Sequence, residues 1–130
     1  AGAKKTVKLQ TNGPFHTTKL NDAKKEYEKE LEKVNFNRGK VEVIKNIDGT
    51  IYTENDNIKN ILADHIVSPV RFDKAINLME EKGIDTYIEI GPGKVLSGFV
   101  KKQLKDLTNV KILNICDCTS FDNTINEIKG

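Results

Sequence analysis

Asp85-Thr86-Tyr87-Ile88-Glu89-Ile90-Gly91-Pro92-Gly93-Lys94-Val95-Leu96-Ser97-Gly98-Phe99-Val100 is the stretch that decides the fold class. Residues 85–90 are rich in β-branched and aromatic side chains and read as a strand. Gly91-Pro92-Gly93 interrupts it as a tight turn, and Val95, Leu96, Phe99, Val100 and Leu104 then recur at helical spacing. Residues 110–115 form the next strand, and Thr119 or Ser120 caps a terminal helix with Phe121, Ile125 and Ile128 inward. Strand, helix, strand and helix in this order argue an α/β layer structure with a largely parallel sheet and flanking helices.

Upstream, residues 6–10 alternate apolar and polar as a short strand, followed by the turn signal Asn12-Gly13-Pro14. From Leu20 the period changes, with Leu20, Ala23, Tyr27, Leu31 and Val34 on one helical stripe. The opposite face carries alternating Lys and Glu, including the neighbours Lys24–Glu28 and Lys29–Glu32, and reads as a solvated surface. Residues 41–45 are a further strand with Asn46-Ile47-Asp48-Gly49 as its exit turn. Asp56 is positioned to cap a helix bearing Ile58, Ile61, Leu62, His65 and Ile66, which Ser68-Pro69 ends. Another helix covers about residues 72–82, with Ala75, Ile76 and Met79 inward and Gly83 just past its end.

Composition narrows the function. The chain has 130 residues, 21 Lys plus Arg and 19 Asp plus Glu, a net charge of +2. That balance argues against a basic nucleic-acid arm, and no apolar run is long enough for a membrane span. The size suffices for a core without disulfides or a structural metal. The only methionine is Met79 and the first residue is Ala1, so a removed segment or a piece of a longer protein is expected. Cys116 and Cys118 form a C-x-C that is too close to pair with itself and has no second cluster to complete a zinc site. Reduced thiols in a cytoplasmic protein are the expected state.

Of the two histidines, His16 follows Gly13-Pro14-Phe15 at a strand-to-helix junction, where a loop can present a general base to a cleft. His65 lies on the apolar stripe of its helix and reads as a boundary residue with one hydrogen bond. None of Ser68, Ser97 and Ser120 sits in a G-x-S-x-G elbow, and nothing basic or helix-initiating adjoins the cysteines to activate a thiol. Gly91-Pro92-Gly93-Lys94 could hold an anion at a helix start, but it matches neither G-x-G-x-x-G nor a P-loop and reads first as a structural turn. Lys101, Lys102 and Lys105 make a modest basic cluster without interleaved aromatics.

Four segments, in order, carry a resemblance: Gly13 to Leu20 (GPFHTTKL), Asn46-Ile47-Asp48-Gly49, Ile66 to Phe72 (IVSPVRF) and Tyr87 to Gly98 (YIEIGPGKVLSG). Together the chain resembles the C-terminal portion of bacterial malonyl-CoA:acyl carrier protein transacylases, and similar patterns recur in acyltransferase domains of fatty-acid and polyketide synthases. The resemblance implies that residues 1–130 are an incomplete acyltransferase domain, part of an α/β-hydrolase-like core. The nucleophilic serine in its G-H-S-x-G elbow, the carboxylate-binding arginine and the oxyanion-hole residues would precede Ala1. Arg38 and Arg71 do not fall at the place of that arginine.

By the same resemblance His16 matches the family's catalytic histidine, the general base for a ping-pong transfer of malonyl from CoA to acyl carrier protein through a malonyl-serine ester. A backbone carbonyl on the helix before S-P-V-R-F orients that ring in the family, commonly at a glutamine; here the matching position is His65. The partners implied are malonyl-CoA, acyl carrier protein with its phosphopantetheine, and the missing N-terminal part, with no cofactor, metal, nucleic acid or membrane. Fatty-acid synthesis in the cytoplasm is the implied setting. The chain alone is expected to be inactive, and its exposed sheet edge to favour self-association. Two other readings stand beside this one: a non-catalytic α/β module that binds acyl carrier protein through Lys94, Lys101, Lys102 and Lys105, and a small hydrolase using His16 with a cysteine.

Overall fold

A computed structural model describes residues 2, 6–8, 13–37 and 39–130. A 3-10 turn (Thr18–Leu20) leads into α1 (Asn21–Glu32); α2 (Ile58–Val67) and α3 (Phe72–Glu81) follow, then β1 (Thr86–Ile90), α4 (Val95–Gln103), β2 (Lys111–Ile115) and α5 (Cys118–Lys129). β1 and β2 pair in parallel, with Thr86 opposite Lys111 and Ile90 opposite Ile115. Parallel neighbours need a crossover between them, and α4 supplies it. The expected α/β class therefore holds, with a small parallel sheet and flanking helices.

The core lies where α3 and α4 meet the sheet. Ile76, Tyr87, Val100 and Leu104 are buried together, with Phe72, Met79, Val110 and Ile112 packed against them. Alternation along β1 sends Tyr87 and Glu89 to one face and Ile88 and Ile90 to the other. Ile90 is 78% exposed and Ile88 is 40% exposed. Val95, Leu96 and Phe99 of α4 are exposed as well, so only Val100 and Leu104 of the five predicted inward residues are buried. An apolar face of this extent is unusual for a domain that closes around its own core.

Several expected elements are corrected. Residues 6–8 form no regular element, and Leu9, Gln10, Asn12 and Arg38 lie outside the described residues. Residues 41–45 are not a strand but half of a narrow hairpin, with one antiparallel bridge between Ile44 and Ile51. Two backbone bonds flank it, from the Lys45 N–H to the Thr50 carbonyl (2.7 Å) and from the Tyr52 N–H to the Val43 carbonyl (2.9 Å). A two-stranded hairpin alone has too few bonds for a long ladder, and tertiary contacts hold this one. The Asn46 carbonyl accepts from the Arg71 N–H at 2.7 Å, and the buried Lys45 ammonium pairs with Asp56 at 3.1 Å.

That ion pair also explains why Asp56 does not cap α2. Its carboxylate takes the Thr53 N–H and Lys45, and Asn57 is the cap, accepting from the Asn60 N–H. Ser68 ends α2 as foreseen, and Gly83, at φ +73°, follows α3. On α1, Lys24 does pair with Glu28, whereas Lys29 turns to Glu26 instead of Glu32. Val34 lies beyond the helix end. The cap of α5 is Asp117, and Ser120 is its reciprocal partner: Asp117 Oδ1 accepts from the Ser120 N–H while Ser120 Oγ accepts from the Asp117 N–H.

Candidate active site

His16 is presented by a turn whose geometry is fixed locally. The Thr17 hydroxyl donates to the Pro14 carbonyl at 2.8 Å, and the Leu20 N–H closes the following turn onto the Thr17 carbonyl at 3.0 Å. His16 itself has φ +58°, a left-handed conformation uncommon outside glycine and costly enough to need support from its surroundings. The 3-10 turn after it packs on both α1 and α2. These two helices bury Leu31 and Ala63 and are tied by the Lys24–Asp64 ion pair at 2.5 Å, whose hydrogen bond raises the Lys24 pKa.

The half-buried His16 ring meets the end of α2. Its Nδ1–H donates to the His65 backbone carbonyl at 2.9 Å. That carbonyl is in the last turn of α2 and also receives a longer bond from the Ser68 N–H, so it sits at the negative end of the helix dipole. With the proton held on Nδ1, the neutral ring keeps its Nε2 lone pair free, which is the tautomer a general base requires. The His65 ring lies against the same imidazole, centroids 4.9 Å apart and planes tilted by 33°. His65 Nε2 is buried and has no hydrogen-bond partner; burial first, and the charge of His16 second, lower its pKa.

The structure thus brings His16 and His65 together. It does not bring the other nucleophile candidates to them. Ser97 is buried on α4 and bonded to Glu89, and Ser120 is spent on the α5 cap. The Ser68 N–H shares the carbonyl that holds Nδ1. Cys116 and Cys118 are free and exposed; Cys116 follows β2 beside the Asp117 carboxylate, and Cys118 is the first residue of α5, which corrects the expectation that no helix start adjoins the cysteines. Among the described residues, the side-chain contacts of His16 run to His65 and none runs to a cysteine. No group of three metal-ligating side chains occurs among the described residues, and no helix is long and apolar enough to cross a membrane.

The turn at residues 91–94 has an occupant that the sequence reading missed. The Glu89 carboxylate reaches over it to the start of α4, accepting from the Leu96 N–H (3.1 Å), the Ser97 N–H (2.8 Å) and the Ser97 hydroxyl. The hydroxyl and the amides hold its pKa below the ordinary carboxylate value. A helix start already filled by the chain's own anion is a structural turn and not a phosphate cradle. The signal was present as a glutamate two residues before the turn and a serine three residues into the helix after it.

Arg71 is likewise engaged, its Nε and Nη2 donating to both oxygens of Asp73 at 3.0 and 2.7 Å, which pulls the Asp73 pKa down to about 2. Lys94 and Lys101 border a groove between α4 and α5, whereas Lys102 borders a different one with Phe72 and Phe99.

Comparison with known proteins follows the same lines. No protein-family model matches the chain. The malonyl CoA-acyl carrier protein transacylase of Bacillus subtilis (strain 168) is 39% identical over 111 residues, 85% of this chain and 35% of that protein. The crystal structure of the Clostridium perfringens malonyl CoA-acyl carrier protein transacylase superposes with a TM-score of 0.85 at 41% identity, covering 95% of this chain and 38% of that one. This chain is homologous to the C-terminal portion of malonyl-CoA:acyl carrier protein transacylases. It spans between a third and two-fifths of the length of the relatives it matches. A malonyl-transacylase in complex with a type II PKS acyl-carrier protein is also similar, with a TM-score of 0.84 at 25% identity, over 97% of this chain and 40% of that one. The small parallel sheet and flanking helices of this transacylase homologue are those of an α/β fold shared with these neighbours.

Proposed function

We propose that this chain supplies the general-base half of a malonyl-CoA:acyl carrier protein transacylase, with His16 as the base and the His65 carbonyl as its orienter. The observation that carries the proposal is the 2.9 Å bond from His16 Nδ1–H to the carbonyl ending α2, which leaves Nε2 available for proton transfer. Residues 1–130 are, in this reading, an incomplete acyltransferase domain whose nucleophile belongs to the remainder of the enzyme.

The chemistry is a two-step exchange. In the first step Nε2 takes the proton of the serine hydroxyl while the serine oxygen attacks the malonyl thioester carbonyl. Collapse of the tetrahedral species breaks the C–S bond, and the CoA sulfur leaves with that proton. In the second step Nε2 takes the proton of the phosphopantetheine thiol on acyl carrier protein. The sulfur attacks the malonyl-serine ester, and the serine oxygen recovers the proton. Serine, imidazole and two thiols account for every bond, so the reading calls for no cofactor.

The partners in this proposal are malonyl-CoA, acyl carrier protein and the remainder of the enzyme, and the setting is cytoplasmic, to which the free, exposed cysteines are suited. Exposure of Ile88 and Ile90 on β1 supports both docking of the remainder and self-association when the chain is alone. Sedimentation should accordingly detect dimers or larger species, and a clean monomer would count against it. Intact-mass analysis after mixing with malonyl-CoA tests the function. The chain alone should stay unmodified, while addition of the nucleophile-bearing portion of a relative should yield a malonyl ester on that portion, lost when His16→Ala replaces the base. A stable malonyl adduct on this chain alone would refute the assignment.

A further inference from the structure

We propose that the His65 side chain is a positioning residue for His16, its neutral ring holding the base by stacking and stabilising the base in its protonated form. The inference rests on His16 being the base, and it concerns the ring of His65 and not the carbonyl already described.

His16 is held at two points by one residue. The carbonyl of His65 grips the Nδ1 edge at 2.9 Å, and the imidazole of His65 lies on the ring face at 4.9 Å with a 33° tilt, nearer to stacked than to edge-on. A cation within about 6 Å of an aromatic face is attracted to it, and His16 becomes a cation each time it accepts a proton. The neighbouring ring serves this purpose only while it remains uncharged. His65 Nε2 is enclosed without an acceptor, so protonating it would bury a donor and a charge with nothing to receive them. Its lowered pKa, set first by burial and then by His16, agrees with that geometry.

Charges on the elements packed around the pair are otherwise engaged or local. Lys24 on α1 is bound by Glu28 and by Asp64 of α2, Lys59 of α2 pairs with Glu32 of α1, and Lys19 lies on the 3-10 turn. The two imidazoles thus act chiefly on each other.

Histidine resonances followed by NMR from about pH 4 to pH 8.5, a span that brackets the ordinary histidine range, test this directly in the 130-residue chain. In the wild type His65 should titrate below the ordinary histidine range, in keeping with its burial. His65→Gln keeps the backbone carbonyl and removes the aromatic face, and should lower the His16 midpoint by about half a unit. His65→Phe keeps a face that cannot be protonated and should leave the His16 midpoint within about 0.2 units of wild type. An unchanged midpoint in His65→Gln, or an equal fall in both variants, overturns the proposal. If neither variant folds, the wild-type His65 midpoint decides alone: one below the ordinary histidine range supports the proposal, and one at or above that range, where the ring would be charged beside the protonated base, overturns it. This readout needs no acyl transfer, so a failure of the transacylase reading shows in the mass experiment and a failure of the ring role shows here.

Discussion

Replacing Gly49 by alanine should destabilise the chain by two separable effects, and Gly83 offers an internal reference for one of them. Both glycines have left-handed backbones, φ +76° and +73°, where a Cβ costs roughly 1–2 kcal/mol, offset by about 0.4–1 kcal/mol from the stiffer unfolded chain. Gly83→Ala meets no atom within 4 Å, so its net cost should be about 1 kcal/mol or less. At Gly49 the added Cβ would stand 2.4 Å from Lys74 Cβ and 3.0 Å from both the Ala75 nitrogen and the Lys74 carbonyl carbon. Two of those three atoms are helix backbone and cannot swing away, so an overpacking cost of about 1–3 kcal/mol adds to the conformational one. Gly49→Ala should therefore lose roughly 2–4 kcal/mol. At about 4 °C per kcal/mol for a chain of this size, its thermal midpoint should fall by roughly 10 °C. Urea unfolding of the wild type and both variants, compared at equal slope, measures the difference. Equal losses in the two variants would show that the turn does not bear on α3, and the close approach argued here would be wrong.

Three further outcomes follow from the same contacts. Glu89→Gln should flatten the acid side of the stability profile: the wild-type carboxyl has a depressed pKa, so its contribution is present above its ordinary value of 4.5 and is lost as pH falls below it. Urea midpoints taken through that window should converge for the two proteins at the acid end, and parallel curves would contradict the capping role. Asp73→Asn should act likewise, but over a window running from 3.8 down to about 2, because Arg71 holds Asp73 ionised that far; a wild-type profile already flat there would be the contrary result. Ile76→Ala, at a site only 1% exposed in the centre of the core, should cost about 2–5 kcal/mol, measured by denaturant unfolding, and a loss under 1 kcal/mol would mean that the cluster around Tyr87 is not the stability centre.

What could be read from sequence divides by the range of the interaction. Helical stripes and the strand–turn–helix at residues 85–100 are local patterns, and α1, α2, α3 and the βαβ unit appear within a residue or two of their expected bounds. Caps went astray where an acidic side chain had a stronger distant claim. Asp56 is taken by Lys45, eleven residues upstream, and that preference for a buried ammonium is invisible to a rule about helix starts. Residues 41–45 alternate like a strand, yet strand identity needs neighbours, and here the Asn46–Arg71 and Lys45–Asp56 contacts hold a hairpin in place with a single bridge.

The site was legible in a different way. Position alone left His16 as one loop histidine among several uses of a loop, because no nucleophile pairs with it by spacing. The segment resemblance implies the role proposed for it, and the geometry then adds what neither could state: a left-handed backbone at His16, an Nδ1–H held by the His65 carbonyl, and a second imidazole beside the first. Exposure of Val95, Leu96 and Phe99 looks anomalous for residues placed inward by periodicity, but it is the same fact seen from the packing side. Periodicity reports which face of an element is built to be covered, and it cannot report whether the cover lies within 130 residues. The relatives are more than twice as long, and under the proposed function the remainder of the enzyme would cover those faces and bring the hydroxyl whose proton His16 Nε2 takes.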